Sequence, residues 1–333
     1  MSERVAISIA LGTHNGARFV AEQVQSYLAQ TRTPDELVLS DDASQDGTVE
    51  LVSKLVAQAP APPRLVVLRN PTPLGVARNF EQAILAATGE IIVLSDQDDV
   101  WHPGKLARIE ACFRDDPRLL FVHSDARLVD AGGAPLDVSV FGALEATSWE
   151  LDTIHAGRAL EVLIRRNLAV GATAAFRRAL LDAATPIGAG WVHDEWLAII
   201  AAALGPGTVD VLREELVDYR QHGANQIGAR KVSLAGKFRR LAEPRADRNR
   251  RLITAATALS ERVQSLDVRH EARQAVADKL AHERVRSTLP ASRWRRLRPG
   301  FREWRTGRYR SSGRGLQDLL RDLVQPVGSE GAR

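Results

Sequence analysis

The chain has 333 residues, 44% apolar and 26% charged. That balance excludes a disordered polypeptide and leaves room for a main domain plus an appendage. A single cysteine, Cys112, excludes an internal disulfide framework and would leave any Cys-based metal site dependent on other ligand types, so a reducing compartment is expected.

The net charge of +4 hides an asymmetry: residues 231–333 carry 25 Lys and Arg against 11 Asp and Glu, whereas residues 1–230 carry 20 against 30. An acidic body with a basic tail points to a polyanionic partner for the tail, either an anionic membrane surface or nucleic acid. No run approaches the roughly 20 apolar residues that a spanning helix needs. The opening MSERVAISIAL has too short an apolar run for a signal peptide. The expectation is a cytoplasmic protein, peripheral on the inner face of the membrane if attached at all.

Along the chain, Val5 to Leu11 reads as a buried strand. Residues 17–30 read as a helix with Phe19, Val20, Gln23, Val24, Tyr27 and Leu28 on one side. A strand at Leu37–Leu39, a helix from Thr48 to Ala59, a strand at Arg64–Leu68, a helix from Val76 to Ala87 and a strand at Glu90–Leu94 continue a βαβαβαβ order. This order predicts a mainly parallel α/β sheet covered by helices. Ligands in such sheets bind beyond the carboxyl ends of the strands. LGTHN, SDDAS and SDQDD all fall there. Past residue 125, LVDAGGAPL suggests a turn at Gly132 and Gly133. NLAVGATAAF suggests a strand, GWVHDEWLAIIAAALG a helix with an acidic first turn, and EELVDYRQHGANQIG an exit from the body. From about Leu234 the chain reads as helical and Arg-rich, so the expected division is 1–230 and 231–333.

Each polar motif has a plain structural reading. SDDASQDGT could cap the following helix. As a calcium loop it fails, because Ser53 stands where a bidentate Glu is needed. Capping leaves the doubled acid Asp41-Asp42 unexplained, and a carboxylate there can accept hydrogen bonds from a nucleobase or a ribose. In SDQDDVW, three acids within four residues repel one another unless a cation or donors offset the charge. Asp96 and Asp98 have the D-x-D spacing at which hard oxygens can face Mg²⁺ or Mn²⁺ while a diphosphate completes the shell. His102-Pro103 is expected to start the next helix, with Asp99 either a neighbour of the ligands or a cap. HDEW places acids where a helix dipole favours them, which is reason enough for their presence, although Asp194 could also serve as a general base. Arg220 and His222 could point the same way from an extended segment, the first suited to a diphosphate and the second to a metal or phosphate. Gly75, Arg78 and Asn79 open a helix whose N-terminus could take an anion.

In this order, LGTHNGARFVAEQVQSYLAQT, LSDDASQDGT, GVARNFEQAI, LSDQDDVWHPGKL, NLAVGATAAFRR, HDEW and YRQHGANQIG resemble family 2 glycosyltransferases of the GT-A fold. SDQDDVW with YRQHGAN looks most like the bacterial rhamnosyltransferase-type branch. The resemblance covers about residues 4–230. It implies a nucleotide pocket lined by Thr13 and Asn15, a base contact at Asp42, and Arg78 and Asn79 near the nucleotide. It places Asp96 on the ribose or sugar side, Asp98 on a Mg²⁺ or Mn²⁺ ion and Asp194 in the base position; Arg220 and His222 stand as further donor and metal contacts. The implied activity is inverting, metal-dependent transfer of a sugar from a nucleoside diphosphate sugar, dTDP-rhamnose among the candidates, to a cell-envelope glycan or lipid-linked acceptor. The Gln-x-x-Arg-Trp motif of processive members has no clear counterpart here, so single additions are expected.

The run from Arg293 to Arg310 interleaves Trp294, Phe301, Trp304 and Tyr309 with arginines. Anionic membrane attachment is the preferred reading over nucleic-acid binding, because a lipid-linked acceptor would suit it. Two other readings compete for the whole chain: an inactive sugar-nucleotide-binding scaffold, and a nucleic-acid-binding protein working through the tail. The first is disfavoured by the presence of both metal acids and base, the second by confinement of the basic surplus to the tail. A nicotinamide fold is disfavoured because LGTHNGA replaces G-x-G-x-x-G.

Overall fold

A computed structural model describes residues 4–222 and 246–326. The expected division at 230/231 and the start of the helical region near Leu234 lie outside these residues. Strands β1 (Ile7–Thr13), β2 (Glu36–Asp41), β3 (Arg64–Arg69) and β4 (Ile91–Ser95) alternate with helices α1 (Val20–Leu28), α2 (Thr48–Ala57) and α3 (Val76–Ala86). The apolar runs of β1, β2 and β4 are buried on both faces, as the crossover helices require, while β3 at the sheet edge is only partly covered. β2 and β4 flank β1 in parallel, with Thr13 opposite Asp41 and Leu11 opposite Ser95, so the ends of all three strands open on one edge.

Beyond β4 the sheet becomes mixed. After the two-residue β5 (Val100–Trp101) and α4 (Lys105–Asp115), β6 (Phe121–Val129) turns through Gly132 and Gly133 into β7 (Pro135–Ser139), the expected hairpin. Three short helices follow: α5 (Val140–Ala143), α6 (Ser148–His155) and α7 (Ala159–Leu163). β8 (Ala174–Arg177) is antiparallel to both β4 and β6. After α8 (Leu181–Ala184) and α9 (His193–Leu204) comes β9 (Val209–Arg220). The strand order is β3-β2-β1-β4-β8-β6-β9-β5, with β7 on β6. Residues 214–220 of the segment expected to lead out of the body are instead the end of a twelve-residue strand inside it, parallel to β6 and antiparallel to β5. Its exposed Arg213, Glu214 and Glu215 interrupt the apolar pattern and coincide with a register shift against β6.

Helices α10 (Ala246–Ser265), α11 (His270–Ser287), α12 (Arg293–Arg305), α13 (Arg308–Ser311) and α14 (Leu316–Val324) form the C-terminal region. Leu259, Val263, Val268, Ala272 and Val276 join the same buried apolar cluster as the body. α9 is apolar almost all round because it lies between the sheet and α10 and α11, with Trp196, Leu197, Ile199 and Ile200 at most 1% exposed. Trp191 Nε1 donates to the Ala255 carbonyl at 2.8 Å, tying the approach to α9 onto α10. The first turn of α9 lies beside α3, with His193 stacked on Phe80.

Candidate active site

The strand ends border a cavity of about 710 Å³ whose lining includes Thr13, Asn15, Asp42, Asn79, Asp96, Asp98, Asp194 and His222. Arg78 and Arg220 are not among its lining residues. The size suits a small organic ligand.

One wall is a lattice of strand-end polar groups. Thr13 Oγ1 donates to Asp41 at 2.7 Å. Asn79 Nδ2 donates to the Ser40 carbonyl at 2.9 Å while its Oδ1 accepts from Ser40 Oγ at 2.7 Å, so α3 clamps β2. The Asp42 carboxylate accepts the amides of Leu74 at 2.6 Å and Gly75 at 2.9 Å and so fixes the loop before α3. Asn15, at φ 47°, accepts the Gln45 amide at 2.9 Å and joins the first loop to the second. Arg78 is exposed on the first turn of α3.

The opposite wall carries the negative charge. Asp98 Oδ2 lies 2.7 Å from His222 Nε2, and the His222 ring stacks on Phe19 at 4.7 Å. Arg220 and His222 do converge, but on different atoms of one residue: the Arg220 guanidinium donates to the Asp98 carbonyl at 2.9 Å and the Ala131 carbonyl at 3.1 Å. It also pairs with Glu22 at 2.5 Å. With 3% exposure, Arg220 supports the acidic loop from behind the cavity. Asp99, left between two roles by sequence, is 1% exposed and accepts the Arg220 amide at 3.0 Å. It therefore ties the acidic loop to the end of β9. The helix that follows begins at Lys105 with Gly104 as its N-cap residue, so Asp99 is not its cap.

Crowding of carboxylates in a desolvated place raises their proton affinity. Burial, then Asp98 and Asp194, push Asp96 up to about 7. Burial, then Asp98 and Asp96, push Asp99 well above the usual carboxylate range. Lys105 lies beneath them, fully buried, its amine donating to the Ala172 carbonyl at 2.8 Å and sitting 3.7 Å over the Trp101 ring. Burial lowers its proton affinity, against the pull of Asp99 and Asp96. One buried amine does not offset this many acids.

Asp194 stands in the first turn of α9. Its Oδ2 accepts the Gly171 amide and its Oδ1 the Glu195 amide, both at 2.8 Å. A side chain at Gly171 would press on this group, since its Cβ would lie 3.2 Å from His193 Nε2 and 3.5 Å from Asp194 Oδ2. Burial raises Asp194 to about 6 despite both amides. A carboxylate so placed is ionised at neutral pH yet basic enough to take a proton.

No motif in the sequence marks His193, Lys105 or Tyr219 for a role in the site. His193 is 4% exposed and stacks face to face on Phe80 at 4.0 Å, and burial lowers it to about 3, so it is a neutral ring on the cavity wall. Its only signal was adjacency to Asp194. Among the described residues, no group of three or more His, Cys, Asp or Glu could hold a metal by itself. Asp98 and His222 offer two donors that face the cavity, the partial set that a substrate diphosphate can complete.

A parallel strand array ending in an acidic cavity, closed by a second mixed half, is the architecture of the GT-A fold. Residues 8–183 match the family model "Glycosyl transferase family 2", and the chain belongs to that family. An uncharacterized glycosyltransferase of Nostoc sp. is 30% identical over 221 residues, 66% of each chain. The chain thus spans just under two thirds of that relative, and 59% of an uncharacterized Mycobacterium tuberculosis protein to which it is 28% identical. The dTDP-rhamnosyl transferase RfbG of Shigella flexneri is 25% identical over 256 residues, 75% of this chain and 85% of its own. Among solved structures, S. aureus TarS residues 1–349 in complex with UDP-GlcNAc superposes with a TM-score of 0.57 at 18% identity, covering 84% of this chain and 72% of that one. The mannosyltransferase PcManGT from Pyrobaculum calidifontis, in complex with GDP-Man and Mn²⁺, gives 0.50 at 18% identity, covering 97% and 86%. These structures share the fold.

Proposed function

We propose that the chain transfers a sugar from a nucleoside diphosphate sugar to an acceptor hydroxyl, inverting the anomeric centre in one displacement. The observation that carries this reading is a single cavity bordered by Asp98 with His222 and by Asp194. Asp194 takes the proton from the acceptor hydroxyl as its oxygen bonds to the anomeric carbon and the bond from that carbon to the diphosphate oxygen breaks. Thr13, Asn15, Asp42 and Asn79 form the wall against which the nucleoside lies, and Asp96 faces the ribose or sugar. Asp98 and His222 would hold Mg²⁺ or Mn²⁺, which when bound neutralises charge developing on the departing diphosphate. Arg220 keeps Asp98 in place through the loop carbonyl.

The similarity to RfbG makes dTDP-rhamnose the first donor to test, with UDP- and GDP-sugars next, given the ligands of the TarS and PcManGT structures. A glycan or lipid-linked acceptor at the inner face of the cell membrane fits a chain in which no helix among the described residues is long and apolar enough to cross a membrane. Thermal shift with a panel of nucleoside diphosphate sugars, with and without Mn²⁺, tests the donor assignment. A metal-dependent stabilisation by one donor is expected, and its absence across the panel overturns the reading. Asp194→Asn is expected to keep that stabilisation and lose transfer by ~10²–10⁴-fold; near-normal transfer removes Asp194 from the mechanism.

A further inference from the structure

We infer that the outer faces of α12 and α14 together form a docking surface for an anionic lipid bilayer. In α12, Trp294 is 83% exposed, Leu297 47% and Phe301 62%, and their spacing sets them along one stripe. In α14, Leu316 is 57% exposed, Leu320 50% and Val324 45%, again one stripe. Six large apolar side chains left to water on two adjacent helices are more than scattered surface residues.

The two stripes are continuous. α12 packs antiparallel on α14 at Gly300, where a Cβ would lie 3.4 Å from Leu323 and 3.5 Å from Leu319. The Arg296 guanidinium closes the other end of the seam on the carbonyls of Gln325 at 2.6 Å and Asp322 at 3.1 Å. By helical periodicity Leu297 adjoins Gly300 on one helix, and Leu316 and Leu320 adjoin Leu319 and Leu323 on the other. Both stripes thus lie on the outward side of the shared seam.

Charge is sorted between the two sides of this pair. The acids of residues 292–326 all turn inward: Glu303 meets His282 at 2.9 Å and Arg308 at 2.8 Å, while Asp322 meets Arg286 at 2.7 Å and Asp318 is 7% exposed. Outside, Arg293, Arg295, Arg298, Arg302, Arg305 and Arg310 are exposed. Beside the apolar stripe a recess of about 570 Å³ is lined by Phe301, Trp304, Arg305, Gly307 and Arg310, with the Arg310 guanidinium 5.2 Å above the Trp304 ring. Guanidinium groups around an aromatic floor suit a lipid phosphate, and the leucines and Trp294 suit the acyl boundary beneath it. Nucleic acid would leave the aliphatic stripe of α14 unused. A second copy would oppose arginines to arginines.

This inference rests on the C-terminal helices alone, so it stands or falls apart from the donor assignment. Flotation of the full chain with phosphatidylcholine vesicles, with or without phosphatidylglycerol, is the test. Binding is expected only to the anionic vesicles, with release by salt. The double variant Phe301→Glu, Leu320→Glu should not float, and each of Arg298→Glu and Arg302→Glu should weaken binding about fivefold or more. Circular dichroism and the thermal unfolding midpoint of each variant should match wild type and report intact folding. The inference is overturned if wild type fails to float at low salt, or if the double variant floats as wild type does. It is also overturned by RNA displacing the protein from vesicles, or by a solution dimer that Phe301→Glu converts to monomer.

Discussion

The acidic cavity and the basic C-terminal helices both concentrate charge, but they treat it oppositely. Inside the C-terminal region, Arg286 is 2% exposed and is met by Asp322 at 2.7 Å and Glu283 at 3.2 Å, while Tyr309 and Arg248 also reach Asp322 at 3.0 and 2.9 Å. Every buried charge in that network has a countercharge. At the strand ends, Asp96 and Asp99 share Lys105, itself held toward its neutral form, while Asp98 and Asp194 crowd Asp96 further. Matched charge builds architecture, whereas unmatched charge marks a place prepared for a ligand. The lesson is that charge density alone, which is all a sequence displays, does not separate the two.

Three experiments test this contrast. The largest effect belongs to the matched network: Arg286→Ala removes the buried guanidinium between Asp322 and Glu283, leaving them to Arg248, Tyr309 and Lys279, and is expected to destabilise the protein by about 3 kcal/mol, read as a lower urea midpoint. A loss within experimental error would mean that the network is not structural. The cavity should respond to pH. With Asp194 raised to about 6, the base is lost as pH falls through that value, so kcat/KM should rise about tenfold per pH unit below it and level off above. A flat profile from pH 5 to 8 would separate Asp194 from proton removal. The smallest effect should come from Arg78→Ala, since that side chain is exposed and outside the cavity lining; less than about a twofold change in donor affinity is expected, within the usual ±0.5 kcal/mol of surface substitutions. A tenfold loss would return Arg78 to the nucleotide site.

The first half of the fold was legible because β1 to β4 are short apolar runs separated by helices of clear period, and the motif loops follow them directly. β6 and β9 were not legible as strands. FVHSDARLV and VDVLREELVDYR mix polar residues into their runs, and their pairing is set by partners distant in sequence. The same distance explains the site. That Asp98 and His222 lie within 2.7 Å follows from β9 pairing with β5 and ending beside the acidic loop, which no spacing announces. Arg220 was read as a diphosphate ligand on residue type alone; its direction, inward to three acceptors, depends on the register of β9. In the tail, the Arg/Trp run was visible, but α14 and its apolar stripe lack the charge signature that drew attention to α12.

α9 has one further consequence. Its side chains fill the space between the sheet and α10 and α11, and the same twelve residues carry Asp194 at their start. Leu259 and Val263, at 1% exposure, come from the compositionally distinct end of the chain. A polypeptide shortened to the acidic portion would therefore present a greasy trench along the very helix that carries Asp194. For anyone dissecting or grafting this protein, the placement of Asp194, the proposed base, and the C-terminal helices belong together.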